Sequence, residues 1–454
     1  MGDMVDEALR RATEGRAQAE VDFIEELSIP SVSSLSEHSN DCRRNAEWLV
    51  ARFEAMGMQA HLVEGDGHPT VEAEWMGRPG APLFTIYGHY DVQPPDPLEE
   101  WKSPPFAPEV RDGYVYARGA TDNKGQHMAC LKAMEHWMAA GGPPLNIRFL
   151  IEGEEEGGGP VLPGLLAREG ERLKSDYTFI ADGTLLQLLT GLRGVLYTEI
   201  EVTGPAIDLH SGGFGGFAPN PFNTLAHILA ALKGRDGKIG IPHFYDDVRP
   251  PSEAELASWK QFPISEEMIL HVTGAPALEG ELEYSLPERG WARPTLDVHG
   301  IMGGFTGEGT KTVIPARATA KVSMRLVPDQ DPHAILENLR AFVAELATPG
   351  TRTRVTALGE GGGRGLLLDS SHPGIGAAGR AFEKSFGRAP FLVRAGYSIP
   401  VVADFAKHVD THLFVSGFGT EEDGAHSPNE RLRLDNFHRG TEMVIHLMQE
   451  LSEV

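Results

Sequence analysis

The chain has 454 residues, of which 41% are hydrophobic, and carries a formal net charge of −25 at pH 7. That length exceeds one ordinary core, so two domains are expected, and the apolar fraction is that of a soluble globular protein. The acidic balance argues against nucleic acid and anionic membranes as partners, because both need a basic face, and it serves solubility.

Two cysteines, Cys42 and Cys130, fall in helix-like segments without Cys-x-x-Cys spacing. This speaks against a disulfide framework or a thiolate zinc cluster and for a reducing cytoplasm. The stretch Met1–Glu20 is charged and lacks an apolar h-region, so no signal peptide is expected. No apolar run approaches the ~18–20 residues of a membrane span.

In chain order, Asp6–Leu27 and Ser39–Met56 read as amphipathic helices, the second with Trp48, Leu49 and Phe53 on its apolar side. Leu83–Tyr87 is a short apolar strand that stops at Gly88. A helix over Gly125–Ala140, with Met128, Leu131, Met134 and Met138 on one face, closes at Gly141-Gly142. Leu145–Ile151, Tyr177–Ile180 and Leu413–Val415 are further strands. Strands alternating with helices predict an α/β catalytic domain around a sheet with some parallel character.

Between them the pattern changes. Val195–Val202, Leu296–Ile301, Ala318–Leu326 and Thr351–Ala357 read as strands, with helices over Phe222–Leu232 and Pro332–Leu346. That order is βαββαβ, the split ferredoxin-like arrangement, with Gly234–Arg293 as a long insertion. The glycine-rich run Glu360–Gly365 predicts the return hinge, and a helix around Gly374–Phe386 resumes the first domain. The expected boundaries are 1–194 and 361–454 for the catalytic domain and 195–360 for the inserted one.

His89 follows the first of the catalytic strands, Glu155 and Glu156 the second, and Asp182 the third, while His426 lies in the loop after the last. Open α/β sheets bind ligands outside the carboxyl ends of their strands. These residues should therefore meet around Asp122, at the mouth of the helix that begins near Gly125. The chemistry that suits them is a two-metal hydrolytic site, in which ions ~3.5–4 Å apart supply an activated water and an oxyanion stabiliser. Ions so close need a bridging carboxylate, and Asp122 is the candidate. Imidazole and carboxylate ligands suit zinc and tolerate manganese or cobalt.

Asp91, near His89 in sequence, could hold that imidazole or its peptide surroundings. Three ligands would crowd the run Glu154-Glu155-Glu156, so Glu155 is assigned as general base and Glu156 as ligand. His210, in Asp208–Gly213, is either a surface histidine or a group whose glycine neighbours admit a ligand closely. Arg325, with apolar neighbours on a strand, either forms a structural salt bridge or holds a substrate carboxylate. There is no His-Glu-x-x-His, no Gly-x-Ser-x-Gly and no Gly-Lys-Ser/Thr, and Gly303–Lys311 lacks the ending of a phosphate-binding loop.

These separated motifs, in this order, resemble the M20 metallopeptidase family from about Asp22 to the C-terminus. The resemblance implies a zinc-peptidase-like catalytic domain, its mixed sheet covered by helices on both faces, and an inserted ferredoxin-like lid or dimerisation domain. It implies that His89 and Asp182 hold one ion, Glu156 and His426 the other, and Asp122 both. It further implies Asp91 as the residue orienting His89, Glu155 as base, and a cis peptide after Asp122. Trp101–Phe106, Asp208–Gly216 and Lys311–Pro315 are similar to the branch of carnosine-type dipeptidases.

That branch implies a homodimer in which His210 reaches the partner subunit's active site, with Thr312, Arg325 and Ser398 contacting substrate. Where the branch reads Arg-Glu-Gly-Gly-Ser-Ile-Pro, this chain has Arg394-Ala395-Gly396-Tyr397-Ser398-Ile399-Pro400, a difference that bears on side-chain preference. The expected activity is hydrolysis of small peptides, dipeptides above all, by a metal-bridging hydroxide made by Glu155. The alternative is deacylation of N-acyl amino acids, as in the acetylornithine and succinyl-diaminopimelate deacylases.

Overall fold

The computed structural model describes residues 2–359, 362–396 and 399–454. The chain forms two compact units. The larger contains Met1–Leu189, Asp369–Phe391 and Pro400–Val454; the smaller contains Thr190–Leu368 and Leu392–Ile399.

The larger unit is built on a six-stranded sheet in the spatial order Gln59–Val63, Thr70–Trp75, Asn146–Glu152, Leu83–His89, Tyr177–Leu185, His412–Gly417. The first two pairings are antiparallel and the other three parallel, so the sheet is mixed. Successive residues of a strand face opposite sides. Tyr87 accordingly meets Phe405 of the helix Pro400–His408, whereas a Cβ on Gly88 would press on His127 of the helix Lys124–Ala139. Helices therefore cover both faces.

The helix Lys124–Ala139 departs from its amphipathic reading, because nearly all of it is buried. Its polar residues find distant partners. Lys124 donates to the carbonyls of Glu26 and Ile29 at 3.1 and 2.7 Å, His127 meets Glu26 at 2.9 Å, and Lys132 pairs with Asp22. Burial pushes the Lys124 ammonium down to about 8. The segment expected as one helix over Asp6–Leu27 is two, Gly2–Glu14 and Arg16–Leu27. They divide at Gly15, where a Cβ would crowd the Arg11 carbonyl and the His136 ring.

The smaller unit holds a four-stranded antiparallel sheet in the order Thr295–Gly303, Arg317–Leu326, Gly194–Thr203, Arg352–Ala357. Numbered along the chain, that order is 2-3-1-4, the ferredoxin-like topology. Helices Pro221–Leu232 and Pro332–Glu345 supply Leu225, Ile228, Leu232, Ile335, Leu339 and Val343 to one core with Leu196, Ile200, Val322 and Met324 of the strands. The segment Gly234–Arg293, read as an insertion, contains two short α-helices, Glu253–Trp259 and Glu266–Thr273, and a π-helical turn, Glu288–Ala292.

Candidate metal centre

The strand Leu83–His89 ends on a buried histidine. His89 Nδ1 lies 3.1 Å from the carbonyl oxygen of Asp91 and 3.4 Å from its Oδ1. Donation from Nδ1 leaves Nε2 facing Asp122 Oδ1 at 3.1 Å, the tautomer a metal-binding imidazole needs. Of the two roles weighed for Asp91, the contacts lie at the ring, whereas the His89 N–H is taken by Asn123. The Asp91 carboxylate also accepts the N–H groups of Glu155 and Glu156 at 3.2 and 3.1 Å and the Ser33 hydroxyl at 2.6 Å. One carboxylate thereby fixes the histidine and the start of the acidic loop together.

Asp122 sits between two imidazoles, with His426 Nε2 2.9 Å from its Oδ2. His426 Nε2 is also 3.1 Å from Glu156 Oε1. Asp182 Oδ1 lies 4.0 Å from His89 Nε2. Asp182 falls inside the strand Tyr177–Leu185 rather than after it, because that strand runs on past its parallel partner Leu83–His89. The peptide between Asp122 and Asn123 is cis.

Two three-residue groups result, His89/Asp122/Asp182 and Asp122/Glu156/His426, and within each the donor atoms lie within 4.8 Å of one another. The donors are imidazole nitrogens and carboxylate oxygens, the set that suits zinc. Glu156 Oε1 is buried and faces the His426 imidazole with which it would share an ion. These residues fit a pair of divalent cations.

The electrostatics agree. Hydrogen bonds to Asp122 and Glu156 raise the His426 imidazole to about 10, against the effect of burial. Burial opposes charge on His89, yet Asp122 and Asp91 hold it well above its ordinary range. The carboxylates around both imidazoles thus favour positive charge where a cation would sit. Burial, with the neighbouring carboxylates, pushes Asp182 up to about 7 and raises Glu155.

Residues 85–450 match the family described as Peptidase family M20/M25/M40. This chain belongs to that family. It is 32% identical to the Cys-Gly metallodipeptidase dug1 of Schizosaccharomyces pombe over 94% of both chains. It is 31% identical to the Beta-Ala-His dipeptidase of Homo sapiens, over 85% of this chain and 78% of that one. Its fold matches the M20 family metallo-carboxypeptidase Sso-CP2 from Sulfolobus solfataricus with a TM-score of 0.80 at 30% identity, covering 96% of this chain and 99% of that one. The human carnosine dipeptidase 1 structure covers 99% of each chain with a TM-score of 0.76 at 28% identity.

In this M20 peptidase the remaining sequence candidates lie in the smaller unit. His210 is exposed and its Nδ1 accepts the Gly212 N–H at 2.9 Å. It pairs with Val313 in a two-stranded ladder, so Thr312 is its neighbour. Arg325 stands opposite Val195 and Thr295 on the sheet and has no salt bridge among the described residues. Ser398 lies outside the described residues.

Three residues escaped the sequence reading. Asn123 accepts the His89 N–H at 3.1 Å and donates to the Ala181 carbonyl at 2.7 Å and to Asp182 Oδ1 at 3.0 Å, joining two ligand-bearing strands. Gln93 donates to Glu156 Oε2 at 2.8 Å. Glu430 is wholly buried. No local pattern in its loop marks it.

Proposed function

We propose that this chain is a cytoplasmic dipeptidase that holds two divalent ions, zinc by preference and manganese or cobalt as substitutes. The observation that carries the reading is the pair of ligand groups sharing Asp122, with Glu155 held beside them by Asp91. In this reading His89 and Asp182 bind one ion, Glu156 and His426 the other, and Asp122 bridges. The ions, when bound, supply Lewis acidity toward the attacking water and the scissile carbonyl. Glu155 takes the proton of the attacking water on its carboxylate and passes it to the departing amine nitrogen. Its raised carboxyl, a consequence chiefly of burial, suits a base working near neutral pH.

Arg325 receives the peptide's terminal carboxylate, Thr312 and Ser398 also contact substrate, and His210 stabilises the oxyanion in a partner subunit. A homodimer joined through the smaller units is supported by the sheet's edge strand Thr295–Gly303, whose Val298, Ile301 and Met302 are exposed. Apolar side chains on an unpaired edge favour association.

The test is mass-spectrometric product detection from a pool of dipeptides, tripeptides and N-acyl amino acids, with zinc- or manganese-loaded protein. Dipeptide cleavage is expected, and Glu155→Gln should keep its metal and lose most turnover. Cleavage of N-acyl compounds alone would overturn the substrate class. Mixing Glu155→Gln with His210→Ala should restore activity if His210 acts across a dimer.

A further inference from the structure

Arg118 and Glu430 form a buried ion pair, with Nη1 2.8 Å from Oε2 and both side chains at 1% exposure or less. Their other side-chain hydrogen bonds reach the loops that carry candidate ligands. Glu430 Oε2 accepts the Gly119 N–H at 2.9 Å, and Oε1 accepts those of Thr121 and Asp122 at 2.9 and 3.0 Å. Arg118 donates through Nη2 to the Pro94 carbonyl at 3.1 Å and through Nη1 to the Ser427 carbonyl at 3.3 Å. Three chain segments converge on one pair: the Asp122 turn, the loop that follows His89 and contains Gln93, and the His426 loop.

The tie matters most for His426. Its side chain is 55% exposed, far more than His89 at 1%, and its backbone is left-handed at φ 63°. Packing therefore does little to fix this imidazole, and its loop depends on hydrogen bonds. Those come from Arg118 at Ser427, from Glu430, and from Asn429, which accepts the Lys102 N–H and donates to the Glu100 carbonyl, both at 2.8 Å. The group His89/Asp122/Asp182 has a separate brace in Asn123.

We propose that the Arg118–Glu430 pair is a positioning device for the metal centre that sets the affinity of the ion between Glu156 and His426 more than that of its neighbour. This rests on the two-metal reading above. Groups that orient ligands without touching the metal alter affinity by about 10- to 100-fold, whereas a purely structural pair would leave the affinity of folded protein unchanged.

The experiment is a zinc titration of metal-free protein against a competing chromophoric chelator, for wild type, Arg118→Lys and Glu430→Gln, with thermal unfolding as a control for folding. Arg118→Lys keeps the charge beside Glu430 and loses the planar fork that reaches two carbonyls, so it carries the test even where Glu430→Gln does not fold. The expected result is two bound ions in wild type and, in Arg118→Lys, one ion bound as before and one weakened by about 10-fold or more. Two ions bound as in wild type by folded Arg118→Lys would overturn the positioning role. Failure of wild type to bind zinc would instead overturn the two-metal reading, and the proposal with it.

Discussion

Glu255 and Arg394 form a buried, two-pronged ion pair within the smaller unit, at 2.6 Å (Nε to Oε1) and 2.8 Å (Nη2 to Oε2), with 4% and 3% side-chain exposure. Glu255 also accepts the Thr190 hydroxyl at 2.9 Å and the Ser252 N–H at 2.8 Å. Burial works against this carboxylate, yet Arg394 and Ser252 hold it down at about 2, from an ordinary 4.5. A shift of that size corresponds to about 3 kcal/mol, reduced to about 2 kcal/mol once residual screening by solvent is allowed for. Breaking a buried pair from one side typically costs about 3–5 kcal/mol, because the surviving charge is left uncompensated.

Glu255→Gln should therefore destabilise the smaller unit by about 2–4 kcal/mol at pH 7. Urea unfolding followed by tryptophan fluorescence suits the question, since Trp259 donates to the Leu392 carbonyl at 2.9 Å and lies under the Arg394 guanidinium. The carboxyl is depressed in the folded state, so its contribution is full above pH 4.5 and fades as pH falls through about 2. The wild-type and Glu255→Gln stabilities should converge over that window. A loss below about 1 kcal/mol at pH 7 would refute the buried-charge argument, and so would a difference that does not change with acid.

Removing metal with a chelator should abolish hydrolysis, and adding zinc back should restore it; at 100 times the dissociation constant the ion should add about 2.7 kcal/mol of stability. Activity that survives exhaustive chelation would contradict the metal site. Asn123→Ala, which unties His89 from Asp182, should lower kcat by at least about 10-fold, as loss of a ligand-orienting group does, with the loss read at saturating metal. The His412 ring stacks on His372 at 3.8 Å, and burial holds it down to about 4 from an ordinary 6.5. The unfolded chain therefore binds the extra proton first, and stability should decline as pH falls from 6.5 toward 4. His412→Phe should flatten that decline in melting temperatures recorded across this range.

The grouping of His89, Asp122, Glu156, Asp182 and His426 was legible because most of them lie at or just after a short apolar strand, or beside a helix start, and the parallel sheet brings such ends to one edge. The ferredoxin-like order was legible for a similar reason, since alternating strands and apolar helices leave a local pattern. The braces were not, because their partners are far apart in the chain. Glu430 meets Asp122 more than three hundred positions away, and nothing in Asn429-Glu430-Arg431 announces it. The helix Lys124–Ala139 misled in the same way. Lys124, His127 and Lys132 lie outside the apolar face read from Met128, Leu131, Met134 and Met138, yet each is buried against Glu26, Ile29 or Asp22 near the N-terminus. Local periodicity reports the neighbours along a helix, and a buried charge is explained only by what the rest of the chain brings to it.

The topology of the smaller unit has an evolutionary consequence. Its first strand and its last lie side by side in antiparallel register, with Thr198 opposite Ala357, and Val195 bridges Gly363 just beyond. The four-stranded sheet thus begins and ends at nearly the same point. A segment with adjacent ends can be spliced into a host polypeptide at one position without prising the host's sheet apart. Lineages are then free to lengthen, trim or exchange the guest, and recognition can drift while the residues that do the chemistry stay where they are. A graft must also carry residues 392–399, which belong to the same unit, because without Arg394 the buried Glu255 carboxylate would be left uncompensated.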